Sequence, residues 1–423
     1  MREFWKKWRW KIIAGVAGLV IIIGGVRLYQ FLPTGMPDGE DYFLKIGERK
    51  LLPDEEGQWS YTRELYGHLE ATGDTFAGWD KSQQNMWKYS IAFASYGMPS
   101  LALIIPEYKD MITWVTWTMV RKMKSKKVWM DWESFGFGKD PITYHNIMYK
   151  GHLNLMYGLY QLMSGRTTFE REFTWLTRQI VLELRDHHRQ GLYEGTVCEP
   201  DQFFVQCNSI GLLSLHIYDK LYGTNYTKNE VKWVLDFIHR RMVDPKTGLY
   251  WMEYHPSHDT VERYLSGYTN AWCCMFLRPF EPEFNRKVYE KLKETFVVKI
   301  GPYAYAKESV NGGPSSLATL FVMWAAKEYG DVELFTKLRN GIDKQGGLYR
   351  EPKIDAMVYK TINNKMYNPP LLAVKVHAGW DTLLSHDWGY KTPFKVPDVT
   401  GMTWKDILPQ EIHEDPNLLG DGF

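Results

Sequence analysis

From about residue 58 onward, apolar residues recur at spacings of three and four along most of the chain, and period-two alternation is scarce. The pattern predicts helices at 84–104, 107–125, 142–163, 168–187, 205–222, 228–242, 262–278, 284–298, 314–329, 332–341 and 368–381, with one more near 58–72. Gly or Pro punctuates their ends. About a dozen helices with no visible repeat and no linker suit antiparallel hairpins closed on themselves. The predicted fold class is therefore all-α, a single (α/α)6 barrel. Two of its loops, 132–141 and 191–201, are long, Gly-rich and aromatic, and long loops on a helical scaffold are where sites are built.

One segment breaks the helical-body pattern. Residues 12–26 carry no charge, follow a Lys/Arg-rich opening, and are flanked by Trp5, Trp8 and Trp10 before and by Tyr29 and Phe31 after. This predicts a membrane-targeting helix over 1–34, ahead of one catalytic domain over 35–423. The apolar run has the length of a signal-peptide core, and the aromatic belts are those of a true span, so a retained anchor and a cleaved signal both stay open. The flanking cations keep the opening in the cytoplasm and place the body on the exported side.

Composition narrows the partners. The chain has 423 residues, 44% apolar and 24% charged, which excludes a disordered or low-complexity polymer. Its 51 Lys and Arg nearly balance 50 Asp and Glu, and most of the cations around the apolar run lie outside the body, so no nucleic-acid partner is expected. With 18 Trp and 27 Tyr, the chain holds more flat π surface than a core this size needs, which points to an aromatic-lined cavity. Four cysteines are too few for a disulfide framework. There is no Asp-Asp pair, so the metal-binding and protonating aspartate motifs of terpene synthases are absent. Gly136-Phe137-Gly138 lacks the third glycine of a dinucleotide loop, and no Walker loop occurs, so no cofactor is expected. His255, His258 and Asp259 have no helical ligand spacing and read as a polar loop, so no metal is expected either.

Cys198 and Cys207 bracket a polar turn, CEPDQFFVQC, running into the helix predicted at 205. On spacing alone they are either a disulfide or a pair of thiols able to act as acid, base or nucleophile. His152 shares a helix face with Met148, Leu155 and Leu159, and reads as a core histidine or a ligand. Tyr89 and Tyr268 are either packing residues or hydroxyls at a site.

Taken together, NIMYKGHLNLMYGLYQLMSG (146–165), VCEPDQFFVQCNS (197–209), KYSIAF (88–93), the DWE, GFG and DPI run (131–142), YHP (254–256) and AVKVHAG (373–379) resemble the linalool dehydratase/isomerase family in sequence and order. The resemblance runs from about Tyr61 to Trp380. It implies an exported, oligomeric (α/α)6 barrel, independent of metal and organic cofactor, that dehydrates a tertiary allylic alcohol to a diene or isomerises it. By matching motif, Cys198 and Cys207 fall on the family's essential cysteines, His152 on its histidine, Tyr89 and Tyr268 on its tyrosines, and Met148 on a pocket-lining residue. Upstream the chain departs from the family. Glu64 and Glu70 stand where the family has an aspartate and a tyrosine, and Asp74 and Ser125 replace a further cysteine pair.

The chemistry these residues can carry is coherent. An allylic alcohol loses water when a weak acid protonates its hydroxyl, aromatic faces stabilise the cationic carbon, and a base removes a neighbouring proton. The thiols supply acid and base, Tyr89 and His152 hold the hydroxyl, and Glu64 tunes that network. The expected partner is a small hydrophobic alcohol. A rival enzyme class is a glycan hydrolase or lyase on the same barrel, with its carboxylates drawn from Asp131, Glu133, Glu199 and Asp201. A third reading is an exported protein that only binds a hydrophobic ligand.

Overall fold

Two kinds of helix alternate along the chain, and their burial sets the architecture. The helix Ile147–Ser164 is buried on all sides, because small and apolar residues cover its whole circumference. The next helix, Glu170–Gln190, buries Phe173, Leu176, Ile180 and Leu184 along one stripe and turns its charged residues outward. A helix apolar all round belongs inside, and an amphipathic one belongs outside it.

In the computed structural model, which describes residues 36–410 apart from 69–75, 77–78, 192, 353–355 and 360–363, this alternation continues throughout. The outer helices are α1 (Pro53–Tyr66), α3 (Lys109–Lys124), α5 (Glu170–Gln190), α7 (Glu230–Phe237), α9 (Pro282–Phe296) and α11 (Val332–Gly346). Each is followed by an inner one: α2 (Trp87–Tyr96), α4 (Ile147–Ser164), α6 (Val205–Tyr222), α8 (Gly267–Phe276), α10 (Ser316–Tyr329) and α12 (Asn364–Val376). The inner helices pack in chain order, and α12 returns to pack on α2, which closes the ring. Outer helices lie against it, α1 on α12, α3 on α2 and α4, α5 on α4 and α6, α9 on α8 and α11 on α10. The result is a helical barrel.

The two ends of this barrel differ. Connections from inner to outer helices are short, over 165–169, 223–229, 277–281 and 330–331. Gly165, Gly223 and Gly330 stop three inner helices there in the left-handed conformation that a Cβ disfavours. Connections from outer to inner helices are long, over 125–146, 191–204, 238–266, 297–315 and 347–363. They end on side-chain caps: Asn146 accepts from the amide of Tyr149, Ser266 from Thr269 and Ser315 from Ala318. All the N-termini of the inner helices therefore meet the long loops at one end.

Those loops also carry strands, which an all-α reading omits. A sheet joins β1 (Phe203–Phe204), β2 (Glu253–His255) and β3 (Thr260–Glu262), and ribbons join β4 (Val297–Ile300) to β5 (Tyr303–Ala306) and β6 (Leu348–Glu351) to β7 (Ala356–Tyr359). Two helices start later than expected. α8 begins at Gly267 instead of 262, because 260–262 pair as a strand, and α4 begins at Ile147 instead of 142, after the left-handed residues His145 and Asn146. The membrane-targeting segment expected over 1–34 lies outside the described residues. Among the described residues no helix is long and apolar enough to cross a membrane.

Candidate active site

The loop 191–204 brings the two cysteines of the CEPDQFFVQC segment together. After Cys198 the chain makes a tight turn: the Gln202 amide donates to the Glu199 carbonyl at 3.0 Å, the Cys198 amide donates to the Gln202 carbonyl at 2.7 Å, and Asp201 takes a positive φ of 65°. Phe203 and Phe204 then pair with β2, and α6 begins at Val205, placing Cys207 in its first turn. Asn208 fastens the loop to the helix. Its amide nitrogen donates to the carbonyls of Thr196 and Phe204, each at 2.9 Å, and its oxygen accepts from the Thr196 amide at 3.0 Å. Gly195 lets Phe203 pack against this loop, because a Cβ there would lie 2.2 Å from the Phe203 ring.

All four cysteines are free and buried. Cys207 lies close enough to Cys198 to act on its thiol. Burial, then the Cys207 neighbour, pushes the Cys198 thiol well above its ordinary range, so it keeps its proton. Tyr89, in the first turn of α2, and Tyr268, in the first turn of α8, both feel the two sulfurs, and burial raises both phenols first of all. Both tyrosines stay partly accessible, whereas Cys198 and His152 are each 1% exposed. Cys273, also on α8, lies within electrostatic reach of Cys207.

His152, on α4, sits among aromatic rings. Its ring centroid is 5.7 Å from Tyr89, 5.3 Å from Phe93 and 5.7 Å from Trp272. Phe93 and Trp272 in turn touch Phe321 of α10, at 5.2 and 4.9 Å. Four inner helices thus turn rings toward one place. Met148, four residues before His152 on the same helix, is buried and belongs to the same core cluster. Nδ1 of His152 lies 2.5 Å from the Tyr96 hydroxyl, while Nε2 is buried and has no hydrogen-bond partner. Burial, helped by the Lys88 ammonium, pushes the imidazole down to about 3, so the ring is neutral at any ordinary pH. With the Tyr96 hydroxyl donating to Nδ1, the ring proton sits on Nε2 and is free for a bound group.

Charged groups border this centre. Lys88 pairs with Asp131 and lies over the Tyr89 ring at 5.9 Å. Glu199, next to Cys198, is half-buried. Its carboxyl is raised by burial and by Asp131, against the opposing pull of Lys88. Lys88 carried no signal in the sequence beyond its place in the KYSIAF block, and Asn208 none beyond its place after Cys207.

The structure brings Cys198, Cys207, His152, Tyr89, Tyr268 and Met148 to the loop-bearing end of the inner ring, and it does not bring Glu64. Glu64 is exposed on α1. That helix buries Asp54, Glu55, Gln58, Trp59, Thr62 and Tyr66, a stripe of threes and fours that excludes position 64. Glu70 and Asp74 lie outside the described residues, and Ser125 caps the short helix Lys126–Trp129. Of the carboxylates weighed for a glycan site, Asp131 is tied to Lys88, Glu133 is exposed and Asp201 is held by Ser257.

This architecture defines a class before it defines a member: proteins built as a ring of helical hairpins. An inactive variant of an α-1,6-mannanase from Salegentibacter sp. HEL1_6 shares the fold at 12% identity, covering 76% of this chain and 98% of that one with a TM-score of 0.50. An α-mannanase from Bacteroides thetaiotaomicron aligns over 82% of this chain and all of its own, at 10% identity and a TM-score of 0.48. Within that class, the sequence model of the linalool dehydratase/isomerase family matches residues 88–361, from the start of α2 through β7. The chain belongs to the linalool dehydratase/isomerase family.

Proposed function

We propose that this chain is a cofactor-independent dehydratase and isomerase of allylic alcohols, built on an (α/α)6 barrel and working by thiol acid/base chemistry. The observation that carries the reading is the pair of free, buried thiols, Cys198 and Cys207, close enough to act on one another and set beside an aromatic cluster with a neutral histidine. In this reading the Cys198 thiol, held protonated by burial, gives its proton to the departing hydroxyl. Cys207 passes its own proton to the Cys198 thiolate so formed, and its sulfur, in the first turn of α6 where the aligned peptide dipoles favour negative charge, then takes the proton from the carbon next to the allylic cation. The faces of Tyr89, Phe93 and Trp272 stabilise that cation, and no ring is hydroxylated or consumed. His152 Nε2–H and the Tyr89 hydroxyl hold the leaving water. If the water returns to the far end of the allyl system, the result is isomerisation; if it departs, the result is a diene.

A sugar substrate is the weaker reading. The mannanase that shares the fold is an inactive variant changed at two consecutive aspartates, and this chain has no two consecutive aspartates. The test is product analysis by gas chromatography and mass spectrometry after incubation with tertiary allylic alcohols of several chain lengths, without added metal or nucleotide. A diene or a rearranged primary alcohol from at least one of them is expected. No product from any of them, with release of reducing sugar from a glycan library, would overturn the proposal. The body is proposed to work on the exported side, on the strength of the apolar run over 12–26 and its flanking cations.

A further inference from the structure

The β2–β3 hairpin carries a cluster that the thiol chemistry does not use. Glu253 and Glu262 are directly opposite one another in register, and His255, two residues along β2, lies on the same face. Like charges directly opposite destabilise a ribbon, so this pairing takes a proton or a cation between its members. His255 is oriented to help supply one. Its Nδ1 lies 3.1 Å from the carbonyl oxygen of Asp201, a contact only an Nδ1–H can make, so Nε2 is the nitrogen left to meet a ligand. That Nε2 is 3.4 Å from Glu253 Oε1, an oxygen that is buried and has no hydrogen bond, on a residue only 7% exposed.

We propose that Glu253, His255 and Glu262 bind a divalent metal ion of the zinc type, one donor atom from each. The three donor atoms lie within 4.8 Å of one another. With metal–ligand bonds of about 2.1 Å, neighbouring donors of a tetrahedral site stand about 3.4 Å apart, which is the His255–Glu253 separation. One imidazole with two carboxylates suits zinc better than calcium or magnesium, which favour all-oxygen sets. Glu262 is exposed, so the fourth position opens to solvent and takes a water. The neighbouring His258 and Asp259 are occupied elsewhere, His258 by Ser257 and Asp259 by Arg241 and Tyr254. The metal ties β3 to β2, and β2 pairs on its other edge with Phe203 and Phe204, between the Cys198 turn and Cys207. Its role is to position the strand beside the thiols. It takes no part in proton transfer, and the proposal stands independently of the reaction assigned above.

The test is calorimetric titration of the chelator-stripped full chain with zinc chloride, alongside thermal melts with and without zinc. One site is expected in the wild type, with a zinc-dependent rise in melting temperature. His255→Ala and Glu262→Gln should each weaken zinc binding at least tenfold and abolish the rise. Glu262 is exposed, so Glu262→Gln keeps the fold, and its metal-free melt should match the wild type. Absence of zinc binding to the wild type would overturn the proposal. So would unchanged affinity in both variants, the result that capture by Cys198 and Cys207 would give.

Discussion

Two buried polar clusters meet the inner ring, and they are built in opposite ways. Between α1, α11 and α12, Lys375 is fully buried and pairs with Asp54 at 2.6 Å and with Asp343 at 3.8 Å. The Tyr42 hydroxyl donates to Asp54 at 2.7 Å, and the Tyr359 hydroxyl donates to Asp343 at 2.6 Å. Burial alone would raise Asp54, but Lys375 and the Tyr42 hydrogen bond outweigh it and hold the carboxyl below its ordinary range. Every formal charge there faces an opposite one. At the thiol centre the Cys198 thiol keeps its proton, the His152 ring is neutral, and the His152 Nε2 atom is left without a hydrogen-bond partner. The first cluster also leaves Asp54 Oδ1 and Asp343 Oδ2 without hydrogen bonds, but both carboxylates face the Lys375 cation, so its charges are matched within the fold. The second is incomplete until something enters it, as a binding site must be.

Breaking the charged cluster should have the largest effect. Lys375→Met removes the cation that two buried carboxylates face and should cost about 3–5 kcal/mol, read as a lower urea midpoint. The next effect isolates His152. Its folded pKa lies near 3 and its unfolded value near 6.5, so the neutral ring adds stability that is complete above about pH 6.5 and falls away as pH drops toward 3. The wild type should lose about 2–3 kcal/mol from this group between pH 6.5 and 4.5, and His152→Phe should lack that part of the slope. A similar decline in both proteins would place the acid-sensitive group elsewhere. Asn208→Ala strips four hydrogen bonds from the loop that carries Cys198. We expect a loss of about 1–2 kcal/mol, together with a fall in turnover that the melting curve alone does not explain. Smallest is Glu64→Gln, which should leave stability within about 0.5 kcal/mol and turnover unchanged, since its carboxylate is solvated on the outer helix. Lost turnover in that variant would return Glu64 to the site.

How far the sequence could be read follows the same contrast. Helix α6 was legible to the residue at 205–222, because an extended Phe204 precedes it and a left-handed Gly223 ends it. The helix expected over 84–104 is interrupted at Gly97, where a Cβ would lie 2.4 Å from the Ala373 backbone, and a close approach between helices leaves no local signal. The strands are two to four residues long, below the length at which alternation shows. At the thiol centre the cysteines, His152 and Tyr89 lie in blocks that resemble the family, Tyr268 lies outside those blocks, and the fold brings all five to one end of the inner ring. Glu64 lies before residue 88, where the family match begins, and the alignment there had only spacing to guide it. The stripe Gln58, Thr62 and Tyr66 was the available sign that position 64 faces outward. Glu199 was visible as a carboxylate beside Cys198, but its position near Lys88 and Asp131 depends on the fold of three separate segments.

The central claim is that two free thiols do the chemistry, and diene formation by Cys198→Ser and Cys207→Ser tests it most directly. Both variants should melt close to the wild type, because a hydroxyl nearly fills the volume of the thiol it replaces. At equal folded concentration, each should turn over a tertiary allylic alcohol at least about 100-fold more slowly than the wild type, the scale of a lost general acid or base. Undiminished diene formation by either variant would contradict the account.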